Sequence, residues 1–129
     1  MRYLLDSHTF FWAVSDVTQL TPKVLTALSD PKAEVFVSSA SAWEMSIKHR
    51  LGKFPEASLI LPDFYKTLAK ARFLELMISS EHGIAAGDLA WSHKDPFDRV
   101  LVAQAQLERL ILVTSDSVIA QSGLVQILW

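Results

Sequence analysis

A chain of 129 residues with no cysteine and a net charge of −2 is the size of one domain, 1–129, with no disulfide framework and no thiolate metal site. Half of its residues are hydrophobic and its mean hydropathy is +0.25, more apolar material than one small core uses, so a homodimer or an obligate complex is expected. No apolar run reaches the ~20 residues of a membrane span, and Asp6 and His8 interrupt the first one, so no membrane anchor or signal peptide is expected and the location is read as cytoplasmic.

Residues 2–5 form a short apolar run ending at Asp6, the pattern of a buried strand. Ser7 and His8 then open a helical turn over 9–14. Thr21-Pro22 starts a helix with Pro at its first position, an apolar stripe of Val24, Leu25 and Leu28, and a stop at Asp30-Pro31. Residues 34–37 are the second strand, ending at Ser38-Ser39. A helix from Ser41 carries Trp43, Ile47 and Leu51 on one face and ends at Gly52. Lys48, His49, Arg50 and Lys53 make its end basic, which suits both dipole compensation and contact with RNA. Residues 54–61 read as an irregular connection. A helix from Pro62-Asp63 follows, with Phe64, Leu68 and Ala71 inside, then a shorter strand over 73–78 and a helix over 81–90 capped by Ser80.

The stretch Asp95-Pro96-Phe97-Asp98-Arg99 breaks a loop into a helix ending near Arg109. Asp95 is a good cap, Pro96 suits the first turn, and Phe97, Val100, Leu101 and Ala105 recur at helical spacing. Residues 110–113 are the clearest strand. Thr114-Ser115-Asp116, a short helical stretch over 117–121, a break at Gly123 and an edge strand over 124–128 complete the chain. Near-continuous apolar strands alternating with helices predict a three-layer α/β/α domain around a mainly parallel sheet.

Ligands of open parallel sheets sit at the carboxyl ends of the strands. Asp6 ends the first strand and Asp116 follows the 110–113 strand. Glu44 and Asp98 fall in the first turns of the helices after the second strand and before that fourth one. Plainer readings exist for each. Asp6 and Asp116 suit caps or turns, Ser41-x-x-Glu44 spells a capping box, and Asp95-x-x-Asp98 is ordinary at a helix start. Four carboxylates at one edge repel one another unless a cation neutralises them, which points to a hard divalent ion, Mg²⁺ or Mn²⁺. His8, His49, His82 and His93 show no HxH or HExxH spacing, and neither a glycine-rich phosphate loop nor a GxSxG elbow is present. A receiver-like signalling domain would need paired acids after the first strand and a late lysine, whereas Asp6 stands alone there and no lysine follows Lys94. The net charge argues against binding nucleic acid by bulk electrostatics, although a bound cation inverts the local sign at such a site.

Five segments in fixed order carry a resemblance that spans the chain almost end to end. They are Leu4-Leu-Asp-Ser-His-Thr-Phe-Phe-Trp12, Val37-Ser-Ser-Ala-Ser-Ala-Trp-Glu-Met-Ser-Ile-Lys48, Leu51-Gly-Lys53, His93-Lys-Asp-Pro-Phe-Asp-Arg-Val-Leu-Val-Ala-Gln-Ala105 and Leu112-Val-Thr-Ser-Asp116. Together they resemble the VapC-like ribonuclease toxins of the PIN-domain family. The resemblance implies a Mg²⁺-dependent endoribonuclease, with Mn²⁺ as a substitute, that cuts RNA and is held inactive by a cognate VapB-like antitoxin. By it Asp6, Glu44, Asp98 and Asp116 fall on the metal-binding and catalytic positions, Asp98 rather than Asp95 because it stands in register ahead of Val-Leu-Val-Ala-Gln-Ala. Attack by a metal-activated water would leave a 5′-phosphate and a 3′-hydroxyl. Ser7, Ser38, Ser115 and Arg99 are candidate supporting or substrate-contacting residues, and turn or cap roles account equally for the serines. A covering antitoxin segment would bring a cation to the acids, with Trp12, Trp43 and Trp91 as candidate anchors, Trp43 also fitting a core stripe with Ile47 and Leu51. Trp91-Ser92 and a missing tyrosine near Gln121-Ser122-Gly123 depart from the family pattern. The alternative is a PIN fold that binds RNA or a partner without catalysis.

Overall fold

Five strands, β1 (Arg2–Leu5), β2 (Glu34–Ser38), β3 (Leu74–Leu76), β4 (Ile111–Val113) and β5 (Ile127–Leu128), form one wholly parallel sheet in the order β3-β2-β1-β4-β5. The computed structural model describes residues 1–129. Seven α-helices cover the sheet: α1 (Ser7–Ser15), α2 (Pro22–Ser29), α3 (Ser39–Arg50), α4 (Phe64–Ala71), α5 (Ser80–Asp88), α6 (Pro96–Glu108) and α7 (Ser117–Ser122). None is long and apolar enough to cross a membrane.

β1 lies at the centre because Tyr3, Leu4 and Leu5 are apolar on both faces, which only a strand covered on both sides can bury. Successive side chains alternate across the sheet. Tyr3, Leu5, Val35, Val37 and Val113 enter the larger core with Phe10 of α1, Val24 of α2 and Leu68 of α4. Leu4 and Leu112 enter the smaller one with Leu101, Val102 and Ala105 of α6 and Ile119 of α7. The connection over 54–61 is less irregular than its sequence suggests. Two short 3₁₀ turns, Pro55–Leu59 and Leu61–Asp63, let Phe54, Ala57 and Ile60 reach the larger core.

The largest departure from the sequence reading lies in α3. It starts at Ser39, and its cap is Ser38, whose Oγ accepts from Ala40 N at 3.0 Å. Ser41 caps nothing, and its hydroxyl is buried without a partner. Glu44 consequently sits in the second turn rather than the first. The stripe of Trp43, Ile47 and Leu51 faces outward: Trp43 is 59% and Leu51 52% exposed. What α3 buries is Ala40, Ser41, Glu44 and Met45, a face too polar to stand out by hydropathy. Trp43 rests edge-on against Phe97 of α6, ring centres 5.0 Å apart. Elsewhere the differences are small. Ser79, not Ser80, caps α5 in a reciprocal box with His82, and the third and last strands are shorter than expected.

From the centre the chain winds one way through β1, β2 and β3 and the other way through β4 and β5. The direction switches between β1 and β4, and a crevice forms beyond the carboxyl ends of strands at such a point.

A candidate metal centre at the strand ends

Two acids follow directly from the sheet. Asp6 leaves β1 and caps α1, its Oδ1 accepting from Thr9 N at 2.8 Å. Asp116 leaves β4 and caps α7, its Oδ1 accepting from Val118 N and Ile119 N at 2.8 and 3.2 Å. Thr114 ties them together: its hydroxyl donates to Asp6 Oδ2 and accepts from Asp116 N. The backbone adds a stitch from Asp6 N to Val113 O at 3.2 Å. Capping and site building are therefore one arrangement here, since the bond that fixes one oxygen of each carboxylate also sets the direction of the rest.

The other wall comes from helices. Asp95 caps α6 by accepting from Phe97 N and Asp98 N at 2.9 and 3.1 Å, and Asp98 stands in the first turn. Glu44 reaches in from α3. Its Oε1 accepts from Ser7 Oγ at 2.5 Å and its Oε2 lies 2.9 Å from Lys48 Nζ. A cleft of about 150 Å³ is lined by Asp6, Ser7, His8, Glu44, Lys48, Asp95, Asp98, Leu101 and Asp116. All four acids singled out in the sequence meet there, together with Asp95.

The supporting residues divide. Ser7 lines the cleft and holds Glu44. Ser38 is buried as the cap of α3, and Ser115 is exposed and outside the cleft lining. Arg99 does not face the cleft. All five of its N–H donors go to main-chain carbonyls: Ala86 and Gly87 at the end of α5 (2.9 and 3.2 Å), then Leu89, Trp91 and His93 in the following loop (2.9, 2.7 and 2.9 Å). A guanidinium at a helix C-terminus satisfies orphaned carbonyls and matches the dipole.

That clamp shapes the segment that brings in His93, a residue set aside on spacing. His93 Nε2 lies 2.7 Å from Asp98 Oδ2, and its ring packs on Trp91 at 4.7 Å between centres. His93, Asp95 and Asp98 present ligand atoms within 4.8 Å of one another. The His93 signal was one of loop shape, which residue spacing along a chain does not encode.

The electrostatics of the cleft are dominated by the mutual repulsion of its acids. The Asp98 carboxyl is pushed up to about 6, first by burial and then by the charges of Asp95, Asp116 and Glu44, against the lowering effect of the His93 hydrogen bond. Carboxylate oxygens at this density suit a hard divalent ion. Lys48 is the only lysine or arginine lining the cleft. Burial would lower its pKa, but the bond to Glu44 and the charges of Glu44, Asp95 and Asp98 outweigh that and raise it.

Comparisons with known proteins agree with this architecture. The sequence profile of the PIN domain matches residues 3–123. No curated protein matches the chain in sequence. Among solved structures, VapBC2 from Rickettsia felis bound to a DNA fragment from its promoter is 16% identical, with a TM-score of 0.70 over 99% of this chain and 98% of that one. A toxin–antitoxin complex from Klebsiella pneumoniae is 19% identical, with a TM-score of 0.60 over 98% and 96%. A domain of a functionally unknown protein from Methanocaldococcus jannaschii is 15% identical, with a TM-score of 0.57 over 99% and 89%.

Proposed function

The chain belongs to the PIN-domain family, and from that premise we propose that it is a divalent-metal-dependent endoribonuclease acting as the toxin of a type II toxin–antitoxin pair. The observation that carries the reading is the cleft itself, where Asp6, Glu44, Asp98 and Asp116 converge and Asp98 is pushed toward its protonated form by burial and by its acidic neighbours. Those four residues would hold Mg²⁺, or Mn²⁺ in its place. When bound, the ion supplies acidification of a water and neutralisation of charge on the scissile phosphate. The protein contributes orientation. Thr114 and the caps of α1 and α7 fix Asp6 and Asp116, Ser7 fixes Glu44, and His93 aims Asp98.

Purified protein should cut single-stranded RNA with Mg²⁺ and stop with EDTA, and Asp6→Asn or Asp98→Asn should abolish cutting while the fold is kept. A fully active Asp98→Asn protein with unchanged Mg²⁺ dependence would sink the assignment. The antitoxin partner is supported by two of the structures named above, VapBC2 and the complex from Klebsiella pneumoniae described as a toxin–antitoxin complex. Co-expression with a small protein encoded beside this chain should then give a stable complex with cutting suppressed. A homodimer is supported by apolar side chains exposed along and after the edge strand β3, namely Leu74, Met77 and Ile78, and by Ile84 on α5. Sedimentation showing a clean monomer at tens of micromolar would remove it.

A further inference from the structure

Every strong charge lining the cleft is negative except one. Lys48 stands one helical turn beyond Glu44 on α3, with Nζ 2.9 Å from Glu44 Oε2. Glu44 is itself nearly buried, its side chain 9% exposed, and its other oxygen is taken by Ser7 Oγ at 2.5 Å. A carboxylate held on both oxygens makes a rigid seat, and the group it seats is an ammonium. Lys48 remains 38% exposed, and its ammonium has three donors, of which Glu44 takes one. Lys48 lines the same cleft as Asp95 and Asp98 at the start of α6.

A positive charge placed among metal-holding acids weakens the binding of a cation. Its presence is explained by a ligand that is negative and lies against the acids only once they are neutralised. A phosphodiester has that character, and lysine binds phosphate as a point charge without demanding planar geometry. We propose that Lys48, aimed by Glu44, is a substrate-binding residue that takes a non-bridging oxygen of a nucleic-acid phosphodiester lying over the acid cluster. This rests on the nuclease reading above and names the residue by which that site holds its substrate.

The test exploits opposite signs. Lys48→Gln keeps a hydrogen-bond donor near Glu44 and removes the charge; Lys48→Arg keeps the charge. Titration with Mn²⁺ alone should show Lys48→Gln binding the ion about fivefold more tightly than the unmodified protein, because one repulsion is gone. Binding of a labelled single-stranded RNA of mixed sequence, in Ca²⁺, should be about tenfold weaker for Lys48→Gln and within about threefold of unmodified for Lys48→Arg. A lysine that merely supports Glu44 would weaken both ligands when removed, and that result overturns the proposal. So does unchanged RNA affinity in Lys48→Gln, or a tenfold loss in Lys48→Arg. If the unmodified protein cuts RNA normally while Lys48→Gln binds it as well as before, the nuclease reading stands and the Lys48 assignment falls. If it binds RNA in Ca²⁺ with the expected Lys48 dependence but never cuts in Mg²⁺, the assignment stands and the cleavage reading falls. If it does not bind RNA at all, both fall.

Discussion

Asp6 follows the last residue of β1 and Asp116 lies three residues past β4, whereas Asp98 stands on a helix whose approach has to be shaped by another side chain. On the strand side, the neighbours β1 and β4 set the spacing, and one threonine hydroxyl joins the Asp6 carboxylate to the backbone N–H of Asp116. On the helix side, the loop from Leu89 to His93 has one backbone hydrogen bond of its own, Trp91 N to Leu89 O, and Arg99 ties it to the end of α5 by collecting three carbonyls from the loop and two from the helix. The contrast teaches that the same kind of acid can be held by redundant backbone or by a single residue. The two sides should therefore respond very differently to substitution.

The sharpest way to break the helix side is Arg99→Ala, which strips five carbonyls of their partner while leaving every acid in place. We expect a loss of about 3 kcal/mol in urea unfolding and of most RNA cutting. Arg99→Lys should recover less than half of either, because an ammonium lacks the fork of donors.

Asp98→Asn should do the opposite to stability. An ordinary aspartate titrates near 3.8, and Asp98 is pushed up to about 6 in the folded protein. Between those values the folded state holds more protons than the unfolded one, so stability falls as pH rises through the window and the penalty is complete above it. In EDTA at pH 7.5, Asp98→Asn should be about 2 kcal/mol more stable than the unmodified protein. The difference should vanish below pH 4, as thermal melts across pH would show.

Thr114→Val tests the strand side. Losing one hydroxyl that serves both Asp6 and Asp116 should cost about 1 kcal/mol, since the caps and ladder remain. Mn²⁺ affinity in isothermal titration should fall about tenfold, the usual effect of removing a group that orients a ligand. The smallest effect belongs to Trp43→Ala. A core tryptophan would cost about 3–5 kcal/mol, but this one is mostly exposed and meets Phe97 edge-on, and less than about 1 kcal/mol is expected in the same urea titration.

What could be read from the sequence followed the same division. Strands of unbroken apolar residues ending in Asp6 and before Asp116 announce both the parallel sheet and the two acids, because periodicity and strand ends are local properties. Asp98 was legible through the proline and cap at the start of α6. The reading of α3 went astray because Ser38, Ser39 and Ser41 are all competent caps, and because the face it buries mixes Ala40 and Met45 with Ser41 and with Glu44, which lines the cleft. Lys48 was seen only as part of a basic helix end, and His93 and Arg99 acquired their partners through a loop whose path no spacing rule describes.

The bond between Thr114 and Asp6 spans 108 positions, and this has a consequence for the order of events during synthesis. A growing chain possesses Asp6, Glu44 and Asp98 well before β4 exists, so β1 waits with one edge unpaired. Only when residues 111–116 have left the ribosome can that edge close, the threonine reach Asp6 and the fourth acid arrive. Translation that stops short of residue 110 yields a polypeptide with three of the acids and no assembled cleft. Assembly of the acid cluster thus waits on residues 111–116, whatever part of the chain has already been made.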